Sequence, residues 1–172
     1  MKNIIIIITL LLAGLQVSAQ TTKPVQKSPL AIFEQFTTGK WEMSGQWSNG
    51  KKFRQAQVFK WSLNKKIVKV QTFGTVNQKT GEFGLRNEGI RAWDATKKQI
   101  VFWEFDVFGG ITKGTCTVEG KNIYYDYLYM GKNFRDSWVF VNANKYEYKV
   151  GVYEQGKWLK VYHQSFYQRV QK

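Results

Sequence analysis

Residues 145–169 read KYEYKVGVYEQGKWLKVYHQSFYQR, and this stretch decides the fold class. In its first half, tyrosine and valine alternate with glutamate and lysine, a period of two that is typical of a half-buried β-strand. Gln155-Gly156 then favours a tight turn, because glycine readily adopts the positive φ that short hairpin loops need. A second run rich in aromatic and β-branched residues follows. The stretch therefore predicts two antiparallel strands joined by a hairpin.

The same pattern extends back to residue 40, and each apolar or aromatic run ends in a turn signal such as Ser48-Asn49-Gly50 or Gly109-Gly110. The pattern gives about ten consecutive strands with short connections, and no connection is long enough for a crossover helix between parallel strands. A meander of this length must protect its edge strands, and closing on itself does so. We therefore predict an all-β, antiparallel up-and-down β-barrel, with a two-sheet sandwich as the alternative.

One short helix is expected before the first strand. Ser28 is a suitable N-cap, Pro29 suits the first helical position, and Gly39 would end the helix. Apolar residues at intervals of three, which include Phe33 and Phe36, would then face the core or the mouth of the barrel.

The N-terminus has the features of an export signal. Residues 1–19 combine an early lysine, an apolar run over Ile4–Ala13 and small residues before a cleavage site after Ala19. The apolar run is shorter than the roughly 20 residues that a membrane-spanning helix needs. We predict a signal peptide at 1–19, a flexible leader at 20–27 and one barrel domain at 28–172, in a periplasmic or secreted protein.

Composition limits the partners and the chemistry. The chain has a net charge of +14, which favours acidic partners such as anionic polymers, lipid headgroups or acidic ligands. Export argues against nucleic acid as the partner, and we expect a monomer.

The single cysteine, Cys116, excludes an internal disulfide and is expected to be a buried, unreactive thiol. No Cys and His spacing predicts a zinc site.

Alternation also assigns the inward and outward faces of the strands. In the run 99–107, we place the face that carries Trp103 and Phe105 inside the barrel. The opposite face carries Glu104 and Asp106, which we expect to be solvated charges that balance neighbouring lysines.

The same reasoning applies to the two strands of the opening stretch. Tyr146 and Tyr148 are expected to face inward, because the residues between them are charged. In the last strand, Leu159 and Val161 share a face with His163, and their apolar character indicates that this face lines the interior. His163, the single histidine of the chain, would then point into the barrel.

Gly39-Lys40-Trp41, which follows the predicted helix and opens the first strand, resembles the Gly-x-Trp motif of the calycins, which include the lipocalins. The resemblance implies that Trp41 packs across the closed end of the barrel against Arg169 of the last strand. A cation on the face of an aromatic ring would close the barrel floor there.

Three further segments, Leu85–Arg91, Gly109-Gly110 and 118–120, are similar to bacterial lipocalin-like domains of unknown function. More distantly, they are similar to the ten-stranded nitrobindin haem barrels. The similarity would cover residues 30–170. The nitrobindin resemblance implies haem ligation by a histidine on the last strand, the position of His163.

The leading functional hypothesis is an exported, non-enzymatic barrel that binds a small apolar or anionic ligand in its interior, without a cofactor. The expected lining is aromatic and includes the histidine: Trp103, Phe105, Tyr146, Tyr148, His163 and Tyr167. Two alternatives remain open. One is haem binding through His163, which could equally be an interior histidine hydrogen-bonded to a tyrosine or a serine. The other is a barrel filled with side chains that binds an acidic partner through its basic surface.

A catalytic function has one candidate pair of residues. Glu104 and Asp106 lie two positions apart on one strand face, at about 6–7 Å by the rise of a β-strand. Paired carboxylates at such a distance suit acid and base work on a glycoside. The chain has no Gly-x-Ser-x-Gly elbow and no glycine-rich phosphate loop before a helix. We therefore predict that the protein is not an enzyme, with a glycosidase-like activity as the alternative.

Overall fold

The computed structural model describes residues 28–46 and 50–170, so the predicted signal peptide and leader lie outside the described residues. Within these ranges, a short 3-10 helix at Ala31–Phe36 precedes ten β-strands. The strands are β1 (Lys40–Gln46), β2 (Lys52–Ser62), β3 (Ile67–Thr75), β4 (Phe83–Asp94), β5 (Gln99–Asp106), β6 (Ile111–Glu119), β7 (Asn122–Tyr129), β8 (Lys132–Asn142), β9 (Lys145–Glu154) and β10 (Lys157–Val170).

The ten strands form one closed antiparallel barrel. Each strand pairs with its neighbours in sequence, and β1 closes the ring by pairing with β10, where Trp41 lies opposite Arg169. Four hairpins have two-residue turns, and in two of them, Met130-Gly131 and Gln155-Gly156, both residues have positive φ. That conformation matches the twist of the flanking strands. The predicted fold class is confirmed, and the two-sheet sandwich is wrong.

The helix is shorter than predicted and of the 3-10 type. It begins at Ala31 rather than near Pro29, with Leu30 at the N-cap position, and Ser28 Oγ accepts a hydrogen bond from the N–H of Leu30 at 3.2 Å. Its buried side chains, Phe33 and Phe36, are three residues apart, which places them on one side of a helix with three residues per turn. No helix in the described residues is long and apolar enough to cross a membrane.

This helix marks what we call the closed end of the barrel, the end at which β1 begins. Phe36 packs against Trp41, Phe59 and Tyr146, with ring centroids 5.0, 5.1 and 4.9 Å away. The guanidinium of Arg169 lies 4.9 Å from the centroid of the Trp41 ring. Trp41 and Arg169 therefore make the contact that the Gly-x-Trp resemblance implies. The opposite end, where β1 ends and β2 begins, is called the open end.

The inward face predicted for β5 is wrong. Trp103 and Phe105 lie on the outer wall with 38% and 49% of their surface exposed, whereas Ile100 and Phe102 are buried in the core. The prediction placed the carboxylates outside because an unpaired charge is costly to bury. Glu104 instead faces inward, where it meets a cation from the neighbouring strand.

The face predicted for β10 is correct in its second half only. His163 is buried, but Leu159 and Val161 are exposed on the outer wall. Two β-bulges, between Trp158 and Lys160 and between Val161 and His163, interrupt the pairing with β9. Each bulge inserts a residue and moves the following side chains to the other face. Nothing in the alternation of residues predicts these bulges.

Candidate functional site

A polar chamber lies inside the barrel between the closed end and the open end. Its volume is about 100 Å³, and strands β2, β4, β5, β6, β7, β8 and β9 contribute to its lining. The side chains around it include Arg91, Asn87, Glu104 and Asp136, together with several tyrosines. A group of ionisable side chains inside a barrel is the strongest indication of function in the described residues, because buried charges are expensive unless they are paired.

Arg91 is the central residue of the chamber. Only 3% of its surface is exposed. Its Nη2 donates a short hydrogen bond to Glu104 Oε1, and its Nε donates to the hydroxyl of Tyr125 at 3.4 Å. Burial acts to lower the pKa of Arg91, but attraction to Tyr125 and Glu104 raises it overall, so the side chain is cationic. Its Nη1 is buried and has no hydrogen-bond partner in the described part of the chain.

The position of the guanidinium depends on Gly89, two residues earlier on β4. A Cβ atom at Gly89 would lie 2.6 Å from Arg91 Nη1 and 2.7 Å from the carbonyl oxygen of Trp103. Both distances are too short for real contacts, so any side chain at position 89 would displace the guanidinium or the β5 backbone. The close approach of Arg91 therefore explains why position 89 is a glycine.

Glu104 links Arg91 to a second polar residue. Its Oε2 accepts a hydrogen bond from Asn87 Nδ2 at 2.8 Å, while its Oε1 receives the guanidinium of Arg91. Both oxygens of the carboxylate are therefore engaged. The negative charge of Glu104 offsets the positive charge of Arg91 within the chamber.

Asp136 lies on the β8 side of the chamber. Its two carboxylate oxygens accept hydrogen bonds from the hydroxyls of Tyr127 and Tyr148, each at 2.8 Å. Burial raises the pKa of Asp136 to about 7, although the two tyrosine hydrogen bonds act in the opposite direction. The carboxyl group of Asp136 therefore changes its charge close to neutral pH.

The charges and the size of the chamber restrict what it can bind. Arg91 and Glu104 cancel each other, and Asp136 contributes between zero and one negative charge, so the chamber is neutral to weakly negative. A volume of about 100 Å³ admits a few water molecules or a molecule of a few non-hydrogen atoms. Drug-sized ligands occupy pockets of roughly 300–1,000 Å³, so neither an acyl chain nor haem fits this space as it stands.

An aromatic layer lies between the chamber and the open end. Phe134 is two residues nearer to the open end of β8 than Asp136, and its ring stacks on Tyr162 at 5.5 Å and on Tyr127 at 5.8 Å. Next to Tyr162 in β10, His163 meets Phe53 of β2 edge-on at 4.4 Å between ring centroids. Access to the chamber from the open end therefore passes these rings.

His163 faces the interior, as predicted, but its ring is closely packed. Phe53 and Tyr148 contact it, and a Cβ atom at Gly45 would lie 3.2 Å from His163 Cε1. Burial lowers the pKa of His163, with a backbone hydrogen bond at Gln46 acting in the opposite direction. A haem needs an open face beside the imidazole, and these contacts do not provide one.

The other predicted site residues lie in different parts of the molecule. Tyr148 lines the chamber, but Tyr146 and Tyr167 are fully buried at the closed end, where Tyr167 stacks on Trp138 at 4.1 Å. Trp103 and Phe105 are on the outer wall. The predicted lining is thus divided among three regions, and sequence reasoning missed Arg91, Asn87 and Asp136.

A signal for the missed residues was present in the alternation. Asn87, Gly89 and Arg91 lie on one face of β4, and a glycine between two large polar residues indicates a close approach. Asp136 shares its face of β8 with Phe134 and Trp138. An acid flanked by aromatics at a spacing of two indicates an inward carboxylate.

Asp106 and Cys116 have structural explanations. Asp106 Oδ1 accepts hydrogen bonds from the backbone N–H groups of Phe108 and Gly110, both at 2.8 Å, and so stabilises the β5–β6 turn. Cys116 is buried, as predicted, and burial raises its pKa to about 12, which keeps the thiol protonated. Within the described ranges, no group of three or more His, Cys, Asp or Glu side chains could hold a metal ion.

Comparison with known proteins leaves the family open. No protein-family model matches the chain, and no curated protein matches it. The closed antiparallel barrel of ten strands is consistent with a calycin-like barrel. The functional interpretation therefore depends on the geometry of the chamber.

Proposed function

We propose that this barrel binds one small neutral molecule that both donates and accepts hydrogen bonds, in the chamber beside Arg91. The observation that carries the proposal is the buried guanidinium of Arg91, which is among the side chains around the chamber and whose Nη1 lacks a partner in the described residues. A buried donor without a partner costs about 1–3 kcal/mol. A ligand oxygen beside Arg91 would remove that cost, and Glu104 and Asp136 offer acceptors for the donors of the ligand.

The proposal differs from the apolar or anionic ligand that the sequence favours. An apolar molecule would leave the polar groups of the chamber without partners. An anion would meet the guanidinium of Arg91 but also the carboxylate of Glu104 and, above neutral pH, that of Asp136. The neutral, hydrogen-bonding class is the one for which the chamber provides both donors and acceptors.

We propose binding rather than catalysis. Glu104 is held by Arg91 and Asn87, and Asp106 is used by the β5–β6 turn. A glycosidase-like pair would need both carboxylates to face one cleft that admits a sugar. The two carboxylates instead have separate structural partners, which favours a non-enzymatic barrel.

Acetamide and acetate test the proposal, because they have nearly the same shape and differ in charge. Titration at pH 7.5, followed by backbone amide NMR, should shift signals around Arg91 and Asp136 with acetamide and much less with acetate. Ligand efficiency is limited to about 1.5 kcal/mol per non-hydrogen atom, so binding will be weak and millimolar concentrations are needed.

The substitution Glu104→Gln should reverse this preference at pH 6, because Asp136 is mostly protonated there and the charge of Arg91 is left uncompensated. Acetate should then bind more tightly than acetamide. Glu88→Gln is the matched control, since Glu88 is on the outer wall of β4 and is exposed. Equal responses to both molecules, or a preference that Glu104→Gln leaves unchanged, would contradict the proposal.

Haem binding through His163 is a second hypothesis with less support from the geometry. Hemin titration of the protein should give a Soret band that shifts in His163→Ala if the imidazole is the ligand. Identical spectra for the two proteins would remove this alternative.

Membership of the calycins is likewise a proposal, supported by the contact between Trp41 and Arg169.

Export to the periplasm or the medium is a further part of the proposal, supported by the composition of residues 1–19. The mass of the protein isolated from the producing cell should match a chain that begins at Gln20. A protein that keeps Met1 and remains in the cytoplasm would contradict it.

A further inference from the structure

Large apolar side chains cluster at one part of the open end. The tip of the β7–β8 hairpin carries Met130, which is 85% exposed, and the adjoining strand end carries Leu128 at 67%. The neighbouring β5–β6 hairpin carries Phe108 and Ile111, at 54% and 67%. We call these four residues, Phe108, Ile111, Leu128 and Met130, the apolar rim.

The apolar rim belongs to neighbouring strands and so forms one region. Strand β6 pairs with β5 on one side and with β7 on the other, and Phe105 lies opposite Ile111 in register. The exposed rings of Trp103 and Phe105 continue the same outer wall below the rim. Contiguous apolar surface of this kind marks an interaction site more often than scattered exposed residues do.

Cationic side chains lie beside the apolar rim, and of the acidic residues in the same groove, Asp126 is paired with Arg135 while Glu154 lies on β9. Lys113 lies opposite Trp103 in register and shares with Leu128 the lining of a surface groove of about 450 Å³. Lys132 lies opposite Tyr129, and the guanidinium of Arg86 is 5.3 Å from the centroid of the Phe108 ring. With a net charge of +14 on the chain, this arrangement complements a surface that is negative and has an apolar layer beneath its charges.

We propose that the apolar rim docks on the surface of a lipid bilayer that carries anionic headgroups. The four apolar side chains would enter the boundary between headgroups and acyl chains, while Lys113, Lys132 and Arg86 would contact phosphates. Apolar burial and attraction to anionic lipids add in this mode of binding. The proposal is independent of ligand binding in the chamber, because it uses only residues on the outer wall and the hairpin tips.

Site-specific labelling tests the docking directly. Cys116 is buried, so Met130→Cys introduces one accessible thiol at the rim for an environment-sensitive fluorophore. The matched control is Leu63→Cys, because Leu63 is 68% exposed in the turn at the opposite end of the barrel. Vesicles of phosphatidylcholine mixed with phosphatidylglycerol should shift the emission at position 130 to the blue and leave position 63 unchanged.

The contribution of the apolar side chains is measured by sedimentation with the same vesicles. Phe108→Ser with Met130→Ser should weaken partitioning at least about tenfold, since each side chain adds apolar area that is removed from water. Leu63→Ser with Val141→Ser removes similar exposed area at the closed end and should leave partitioning unchanged. Raising the salt concentration should also weaken partitioning of the unmodified protein.

Each remaining outcome overturns the proposal. Equal shifts at positions 130 and 63 would mean that another part of the chain binds the vesicles. A shift at position 130 that grows with protein concentration without lipid would identify the rim as a contact between two copies of the chain. A shift with polyglutamate as large as that with vesicles would assign the surface to acidic polymers.

Discussion

The closed end and the middle of the barrel are stabilised by different interactions. At the closed end, aromatic rings around Phe36 and Trp41 exclude water almost completely, and the guanidinium of Arg169 lies over the ring of Trp41. In the chamber, Arg91 is buried and Glu104 and Asp136 are half-buried, and all three are stabilised by hydrogen bonds. The closed end thus gains stability from apolar burial, which has few geometric requirements. The chamber depends on exact partners, which is what recognition requires.

The comparison also explains why the interior is not an open ligand cavity of the lipocalin size. Bulky rings fill the closed end, and Phe134, Tyr127 and Tyr162 stack near the open end. The chamber lies in the middle of the barrel, where polar side chains meet. Barrels of this size either fill with side chains or hold one small ligand. The closed end of this barrel is filled, and the chamber is the space in which we propose that a small molecule binds.

The largest expected effect concerns the closed end. Trp41→Ala should lower the free energy of unfolding by about 4 kcal/mol, because it leaves a large cavity in a fully buried aromatic cluster. Trp103→Ala removes the same side chain from the outer wall and should cost less than about 1.5 kcal/mol. Urea unfolding measures both. Equal losses would contradict the assignment of Trp103 to the outer wall.

A somewhat smaller effect is expected in the chamber. Arg91→Met should cost about 3 kcal/mol, because it leaves the carboxylate of Glu104 without its cation. Adding Glu104→Gln should recover at least half of that loss, since the neutral side chain keeps the hydrogen bond from Asn87. Chemical denaturation of the two variants checks this. If the double variant is less stable than the single one, the two residues do not act as a pair.

Asp136 should make stability depend on pH. Its pKa is about 7 in the folded protein and near 3.9 in an unfolded chain, so the folded state binds the extra proton between these values. Stability should therefore fall as pH rises from about 4 to about 7, by roughly 2 kcal/mol or more. Asp136→Asn should remove this fall in unfolding experiments across that range.

Other ionisable groups act on Asp136 or change charge in the same pH range. The comparison of the unmodified protein with Asp136→Asn controls for them. Tyr127, Tyr148, Glu104 and Arg91 are the groups that act on Asp136. Burial lowers the pKa of His163, so its contribution to stability rises with pH toward its ordinary value, opposite in sign to that of Asp136. Because His163 is present in both proteins, the difference between them isolates Asp136. Parallel pH profiles would contradict the shifted pKa.

The smallest expected effect compares two cations that lie on aromatic rings. Arg169→Lys should cost about 1 kcal/mol, because lysine cannot reproduce the hydrogen bonds to Thr38 and to the carbonyl of Gln35 while it faces Trp41. Arg54→Lys at the open end, where Arg54 is exposed near Phe83, should change stability by less than about 0.5 kcal/mol. Thermal unfolding resolves the two.

The fold could be predicted because its signals are local: turn residues and alternation each depend on residues that are neighbours in sequence. The contact between Trp41 and Arg169 at the closed end is implied only by the resemblance of Gly39-Lys40-Trp41 to the calycin motif, and Tyr146 and Tyr167, predicted to line a cavity, fill this end instead. The chamber could not be predicted in the same way, since Arg91 and Glu104 are 13 positions apart and their partnership arises only when β4 pairs with β5. A charged residue in an alternating strand indicates solvent unless its neighbours on the same face indicate the interior, as Gly89 does for Arg91 and the flanking aromatics do for Asp136. The bulges in β10 likewise depend on the pairing with β9.

The pairing of β1 with β10 has a consequence for the order of folding. Arg169 donates hydrogen bonds to Gln35 and Thr38 from more than 130 positions away in the chain. The first strand therefore has only one partner until the last strand has been synthesised. Contacts of such long separation carry a high loop-closure entropy and slow folding to the range of milliseconds to seconds. The barrel can close only once β10 has left the ribosome, and until then the chain is an open sheet with two unpaired edges.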